Sequence, residues 1–188
     1  MLKIIGGKKK RVTLEVPLKN VRPTSSIKRE AIFSILESYA FKNNLEIYKD
    51  NAVLDLFAGT GSLGLESISR GAKFCYFYEI DEGVINKLKI NCEKICEYKN
   101  YKIINKDILT ENFSEIKSNI SVIFIDPPYQ INKFDLILKK INTSKLINKN
   151  TVVILETNKK TLIDVPNFLK IFDERIYGKT KISFINII

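Results

Sequence analysis

Ala52-Val-Leu-Asp55-Leu-Phe-Ala-Gly59-Thr-Gly61-Ser-Leu-Gly64 is the stretch on which the fold turns. Residues 52–57 are a short apolar run ending at Ala58-Gly59, the pattern of a buried strand. Residues 62–70 are helical in pattern and stop at Gly71. Gly59 and Gly61 allow a tight turn and close backbone approach to a ligand, and Gly64 allows close helix packing. Glu79 lies twenty residues after Gly59, at the end of the next expected strand, where a carboxylate can accept two hydrogen bonds from ribose hydroxyls. This much also fits a dinucleotide-binding fold. Asp55 separates the two readings. A carboxylate facing the pocket repels a pyrophosphate but attracts the ammonium of a methionine moiety, which favours S-adenosylmethionine over NAD. Phe57, inside the same loop, is counted with the cofactor residues. The plainer alternative is an ordinary strand-to-helix turn with Asp55 as its anchor.

Outward from this loop the pattern alternates. Residues 73–79, 101–105, 120–126 and 151–156 read as further strands, with helices over 82–96 and 133–141. Residues 169–176 and 181–188 bracket Gly178 as a terminal hairpin. Near the start, residues 3–5 and 11–16 flank Gly6-Gly7 and Lys8–Lys10 as a small β-hairpin. A helix capped by Ser25 or Ser26 runs to about Ala40, with Ile27, Ala31, Ile32, Ile35 and Leu36 approximating one apolar face. Strands alternating with helices make an α/β, Rossmann-like, mostly parallel sheet, and the terminal hairpin makes the last strand antiparallel. Ligands bind such sheets outside the carboxyl ends of the strands. The loops after Phe57, Glu79, Asn105 and Asp126 all fall there. Asp107, in the third of them, can meet an adenine amine or simply cap a helix.

The fourth loop reads Asp126-Pro127-Pro128-Tyr129 and follows the apolar run Val122-Ile-Phe-Ile125. Pro128 biases Pro127 toward an extended conformation and brings no N–H of its own. The Asp126 and Pro127 carbonyls are therefore left as bare acceptors, which suit an exocyclic amine. The lone pair of such an amine is delocalised into its base. Hydrogen bonds from it to the Asp126 carboxylate and a backbone carbonyl draw the nitrogen toward tetrahedral geometry, ready to attack a methyl group. Tyr129 is placed to stack on an extruded base. The bland alternative is a strand-ending turn with a core tyrosine.

Composition narrows the class. The 188 residues suit one domain, here 1–188 with residues 1–24 as a basic hairpin-and-loop extension. No apolar run is long enough to span a bilayer, and the basic start lacks the apolar segment of a signal peptide. Three cysteines without framework spacing suit a reduced, cytoplasmic protein. With no histidine, a Ser-His-Asp triad and a His-ligated zinc are excluded, and no metal is expected. The net charge is +10, of which +7 falls in residues 1–30. Lys, Asn and Ile are abundant throughout, as an AT-rich coding bias produces, but bias alone would spread lysine evenly. The basic cluster points to a phosphate-rich partner, with Lys8, Lys9, Lys10, Arg11, Arg22, Lys28 and Arg29 as candidate RNA contacts. Cys75, Cys92 and Cys96 read as packing.

These motifs together resemble the RsmD family of bacterial small-subunit rRNA guanine-N2 methyltransferases. The resemblance runs through KIIGGKKK near the start, VRPTSSIKREAIFSIL at 21–36, DLFAGTGSLGLESISRGA at 55–72, FYEID at 77–81, IFIDPPY at 123–129 and IYGKT at 176–180. It implies a seven-stranded class I methyltransferase fold in a cytoplasmic enzyme; a monomer is expected. It also implies S-adenosylmethionine as cofactor and a specific guanine of 16S rRNA, of the guanine-966 type, in the small subunit or its assembly intermediate. It carries cofactor roles onto Asp55, Gly59, Gly61, Glu79 and Asp107, and base handling onto Asp126, Pro127 and Tyr129. It places the Arg22–Thr24 loop beside the active site. Family members often have arginine where this chain has Ile27. Two other readings use the same residues: a DNA adenine-N6 methyltransferase, since DPPY serves both amines, and a catalytically silent RNA-binding assembly protein.

Overall fold

Four consecutive buried residues make the central strand. β1 (Ala52–Asp55) is buried at every position, as a parallel strand covered on both faces must be. It pairs in parallel with β2 (Phe74–Tyr78) on one side and with β4 (Ile120–Ile125) on the other. β3 (Tyr101–Ile104) extends the sheet beyond β2, and β5 (Val152–Asn158) extends it beyond β4. β7 (Thr180–Ile187) adds antiparallel to β5, and β6 (Leu169–Tyr177) antiparallel to β7. The order is β3-β2-β1-β4-β5-β7-β6, seven strands of which β7 alone runs against the rest. The computed structural model describes residues 2–17, 25–128 and 133–188. This is the Rossmann-like class I methyltransferase fold.

The covering layers follow from the apolar pattern. α1 (Ser26–Lys42), α2 (Ser62–Ser69) and α3 (Glu82–Ile95) cover one face together with the N-terminal hairpin. α4 (Phe134–Thr143) covers the other with Ile108 and Phe113 from the segment after β3. Ser25 caps α1 by accepting from the Lys28 N–H, and Asp81 caps α3 by accepting from the Val84 N–H at 3.0 Å. Gly64 on α2 lies so close to β2 that a Cβ there would stand 2.3 Å from Phe77 Cε1. Cys75 and Cys92 are buried free thiols and Cys96 is half-buried. No helix among the described residues is long and apolar enough to cross a membrane.

Two local expectations change. The N-terminal hairpin forms, but with a single bridge, Lys3 to Thr13, in place of two strands. Ile4 N–H to Val12 O, Arg11 N–H to Ile4 O and Leu14 N–H to Leu2 O also join its arms, and its inward Leu2, Ile4 and Leu14 join the core. On α1, Ile27 is 69% exposed. The buried stripe begins instead at Arg29 and continues through Ile32, Phe33, Leu36 and Ala40, so the first turn turns Ile27 to solvent.

Candidate active site

The strands of the parallel half end on one edge, and the candidate residues meet there. The loop after β1 turns at Gly59 and Gly61, both left-handed with φ of 55° and 88°. At Gly59 nothing lies within 4 Å of where a Cβ would stand, so the backbone faces open space. At Gly61 a Cβ would meet Leu88 of α3 at 2.6 Å. The loop thus has a braced back and a bare front, the form of a cradle for a ligand.

Asp55 holds this loop from below. It is 1% exposed, and its Oδ2 accepts from the Gly64 N–H at 3.0 Å, anchoring the start of α2. Its Oδ1 is buried without a hydrogen-bond partner. Burial, opposed by the Gly64 bond and reinforced by the Asp126 and Glu79 carboxylates, pushes Asp55 up to about 7. The anchor expectation is met by the Gly64 bond. Phe57 is half-buried in the same loop.

Glu79 closes the loop from the side. Its Oε2 accepts from the Gly59 N–H at 2.8 Å, and its Oε1 accepts from the N–H groups of Ile80 and Asp81 at 2.8 and 3.0 Å. Oε1 thus has both acceptor sites filled, and Oε2 retains acceptor capacity for a hydroxyl. Asp107 is exposed; its Oδ1 accepts from the Leu109 N–H at 2.8 Å, so in this structure it shapes the turn after β3.

Asp126 and Pro127 follow β4 directly. Asp126 is half-buried, Pro127 buried and Pro128 exposed. Because Ile125 pairs with Leu155, Asp126 stands level with Glu156 on β5. Glu156 is 8% exposed, with one oxygen paired to Lys28 Nζ and the other, Oε2, buried without a hydrogen-bond partner. Tyr129 and Arg22 lie outside the described residues. Three carboxylates thus lie near the carboxyl ends of adjacent strands: Asp55 ends β1, Asp126 follows β4 and Glu156 stands two residues before the end of β5.

The basic residues divide. Arg29 is corrected: it is 1% exposed, donates to the Lys3 carbonyl at 2.8 Å and lies 3.8 Å from Glu66. Its place on the inward stripe of α1 removes it from any RNA surface. Lys28 is engaged by Glu156. Lys8, Lys9, Lys10 and Arg11 are exposed, but the Lys8 and Lys9 N–H groups donate to Ser69 O and Oγ at 2.7 and 2.9 Å. Ser69 ends α2, roughly 12 Å from the glycine loop that starts it. The hairpin tip is therefore on the opposite edge of the sheet from Asp126.

Sequence reading missed two buried polar residues that tie these parts together. Asn91 on α3 accepts from the Glu15 N–H at 2.6 Å and donates to Glu15 O and Thr60 O, both at 2.9 Å. It joins the N-terminal segment to the glycine loop. Glu66 on α2 accepts from the Ile5 and Gly6 N–H groups at 2.9 and 2.7 Å and from Arg70 Nε at 3.0 Å. The available signal was a polar side chain on an apolar stripe: Asn91 stands three residues after Leu88, and Glu66 three after Leu63.

Comparisons with known proteins agree with the fold and the motifs. The family model of conserved hypothetical protein 95 matches residues 2–186. The ribosomal RNA small subunit methyltransferase D of Buchnera aphidicola, from Acyrthosiphon pisum, is 33% identical over 157 residues, 84% of this chain and 78% of that protein. Among solved structures, Escherichia coli yhhF superposes with a TM-score of 0.81 at 23% identity, covering 99% of this chain and 97% of that one. An RNA methyltransferase from Salinibacter ruber, in complex with S-adenosyl-L-homocysteine, gives a TM-score of 0.61 at 11% identity, covering 87% and 92%.

Proposed function

The chain belongs to the RsmD family, and on that premise we propose that it transfers a methyl group from S-adenosylmethionine to the N2 amine of a guanine in small-subunit rRNA. The observation that carries this reading is the meeting, at one sheet edge, of a glycine cradle with an open front and an acceptor-only Asp126-Pro127 turn.

The residues fit the cofactor. Gly59 leaves space that a side chain would fill, and Asp55 offers a buried acceptor that lacks a hydrogen-bond partner. Gly59, Gly61 and Phe57 would hold the cofactor along the cradle. Asp55 would face its ammonium, Glu79 its ribose and Asp107 its adenine. When bound, S-adenosylmethionine supplies an electrophilic methyl group. The chain's own part is to present the amine. The Asp126 carboxylate and the Pro127 carbonyl accept hydrogen bonds from its two N–H groups and direct the nitrogen lone pair forward. The carboxylate charge and the carbonyl dipole stabilise the positive charge that develops on nitrogen. No histidine base is needed, because the product ammonium is acidic and passes its proton to Asp126 or water. Tyr129 would hold the extruded base.

Methyl transfer from labelled cofactor to assembled small subunits, naked rRNA and DNA tests the substrate, and digestion of the product identifies the methylated base. Asp126→Ala is expected to abolish turnover with cofactor affinity within a few-fold, and Asp126→Asn to retain some activity through its amide oxygen. Near wild-type turnover by the alanine variant overturns the amine-acceptor role.

A further inference from the structure

We infer that two lysine-bearing turns at the carboxyl edge of β5 and β6 form the surface that grips the RNA backbone beside the target nucleotide. This rests on the RNA-methylating reading above. It also gives a role to the terminal Tyr177-Gly-Lys179-Thr180 turn, which the cofactor and base sites leave unused.

Topology sets the two turns side by side. β5 ends at Asn158, and β7 runs antiparallel to it with Thr180 opposite Asn158. The β6–β7 turn therefore stands next to the end of β5. The Lys159 N–H donates to the Lys179 carbonyl at 2.9 Å, which fastens one turn to the other. Asn158 orders the first turn: its Oδ1 accepts from the Lys160 N–H at 3.0 Å and its carbonyl from the Thr161 N–H at 2.9 Å.

The chemistry of this surface is mixed in an informative way. Lys159, Lys160 and Lys179 are exposed, with no ion pair among the described residues. The neighbouring carboxylates are Glu156, paired with Lys28; Glu174, held by Ser183 at 2.6 Å and near Lys181; and the exposed Asp164. Leu162, on the same loop, is 95% exposed, the barest large apolar side chain among the described residues. Solubilising lysines need no such neighbour. Lysines for phosphates beside an apolar side chain for an unstacked base match single-stranded RNA.

Position separates this surface from the N-terminal tip. Asn158 lies three residues past the Ile125–Leu155 pairing, roughly 10 Å beyond the level of Asp126's strand end and one strand over. Phosphates flanking an extruded base fall within that reach. Lys8 and Lys9 are fastened to Ser69 on the other edge.

The test uses the full chain carrying K159Q/K160Q/K179Q, wild type, and a comparator carrying K8Q/K9Q/K10Q/R11Q. Binding to small subunits is measured over a salt series, and turnover with S-adenosylmethionine is measured on the same subunits. The triple variant is expected to raise the KM for subunits at least tenfold with kcat and cofactor affinity unchanged. Its salt slope should fall by about two, since each single-strand phosphate contact contributes about 0.7. The comparator should keep a KM near wild type. A triple variant that overlays wild type while wild type binds and methylates overturns the surface alone. Wild type that neither binds nor methylates RNA overturns the RNA-methylating reading and the surface with it. Unchanged melting and cofactor affinity in the triple variant exclude misfolding as the cause.

Discussion

Two carboxylates at the edge of the sheet hold the cradle backbone, and in the proposed function both also face the cofactor. Glu79 fixes the backbone at Gly59, Ile80 and Asp81 through both oxygens. Glu79→Ala therefore removes the ribose acceptor and frees the loop that surrounds it. The expected loss in cofactor affinity is roughly 1.5–3 kcal/mol, read by calorimetry, with folding largely intact. Unchanged affinity would remove Glu79 from the site. Asp55 is held protonated up to about pH 7, because burial favours its neutral form. An acid raised on folding retains its proton where the unfolded chain has lost it. Stability therefore falls as pH rises from about 4 toward 7. A cation next to Asp55 favours its ionised form. Cofactor binding near pH 6.5 should then release a fraction of a proton, seen as binding heat that differs between phosphate and Tris buffers. In Asp55→Asn the difference should vanish; equal heats in wild type would show that Asp55 does not face the ammonium.

At the level of elements, the alternation of strands and helices was readable because each strand is an apolar run set off by polar or glycine-bearing turns. The glycine loop was readable because its backbone conformations demand glycine. What the sequence hid were the joints. Asn91 and Glu66 act across 76 and about 60 residues, and such separations leave no local periodicity to detect. Arg29 was misjudged because a charge count is blind to burial, although its spacing of three and four to Ile32 and Phe33 placed it on the inward stripe of α1. Asp55 and Glu79 stand at the strand ends where the sequence pattern put them, but their bonds to Gly64 and Gly59 appear only in the folded chain. The α3 joint has a measurable worth. Asn91→Ala leaves the buried Thr60 carbonyl and the half-buried Glu15 backbone groups without their partner and should cost about 2–4 kcal/mol in urea unfolding. It should also weaken cofactor binding, because Thr60 sits between the two loop glycines. At the α2–β2 contact, Gly64→Ala inserts a methyl 2.3 Å from Phe77 and should cost about 1–3 kcal/mol. A Gly64→Ala protein with unchanged melting would show that α2 can slide.

The whole molecule is organised by its two sheet edges. The carboxyl edge gathers the cradle, the acceptor turn and the lysine-bearing turns; the amino edge receives the basic hairpin tip. The first seventeen residues link the two. They contribute Leu2, Ile4 and Leu14 to the core and satisfy Glu66 with two backbone N–H groups. Deleting them should lower stability by at least about 5 kcal/mol, at roughly 1.5–3 kcal/mol per buried apolar side chain. Full-length protein should unfold in one cooperative step. A truncated chain with the same urea midpoint would make the segment an appendage.

The contacts of Glu66 and Asn91 also set where this chain can be recombined with a relative. A crossover between residue 17 and α1 is the natural place to cut by eye, since it precedes the first helix. It would nevertheless part Ile5 and Gly6 from the glutamate that neutralises their N–H groups, and Glu15 from its asparagine, leaving buried acceptors and donors chosen for a different arm. A working chimera has to inherit residues 2–17, Glu66 and Asn91 as one linkage group, although they are scattered over the first half of the chain.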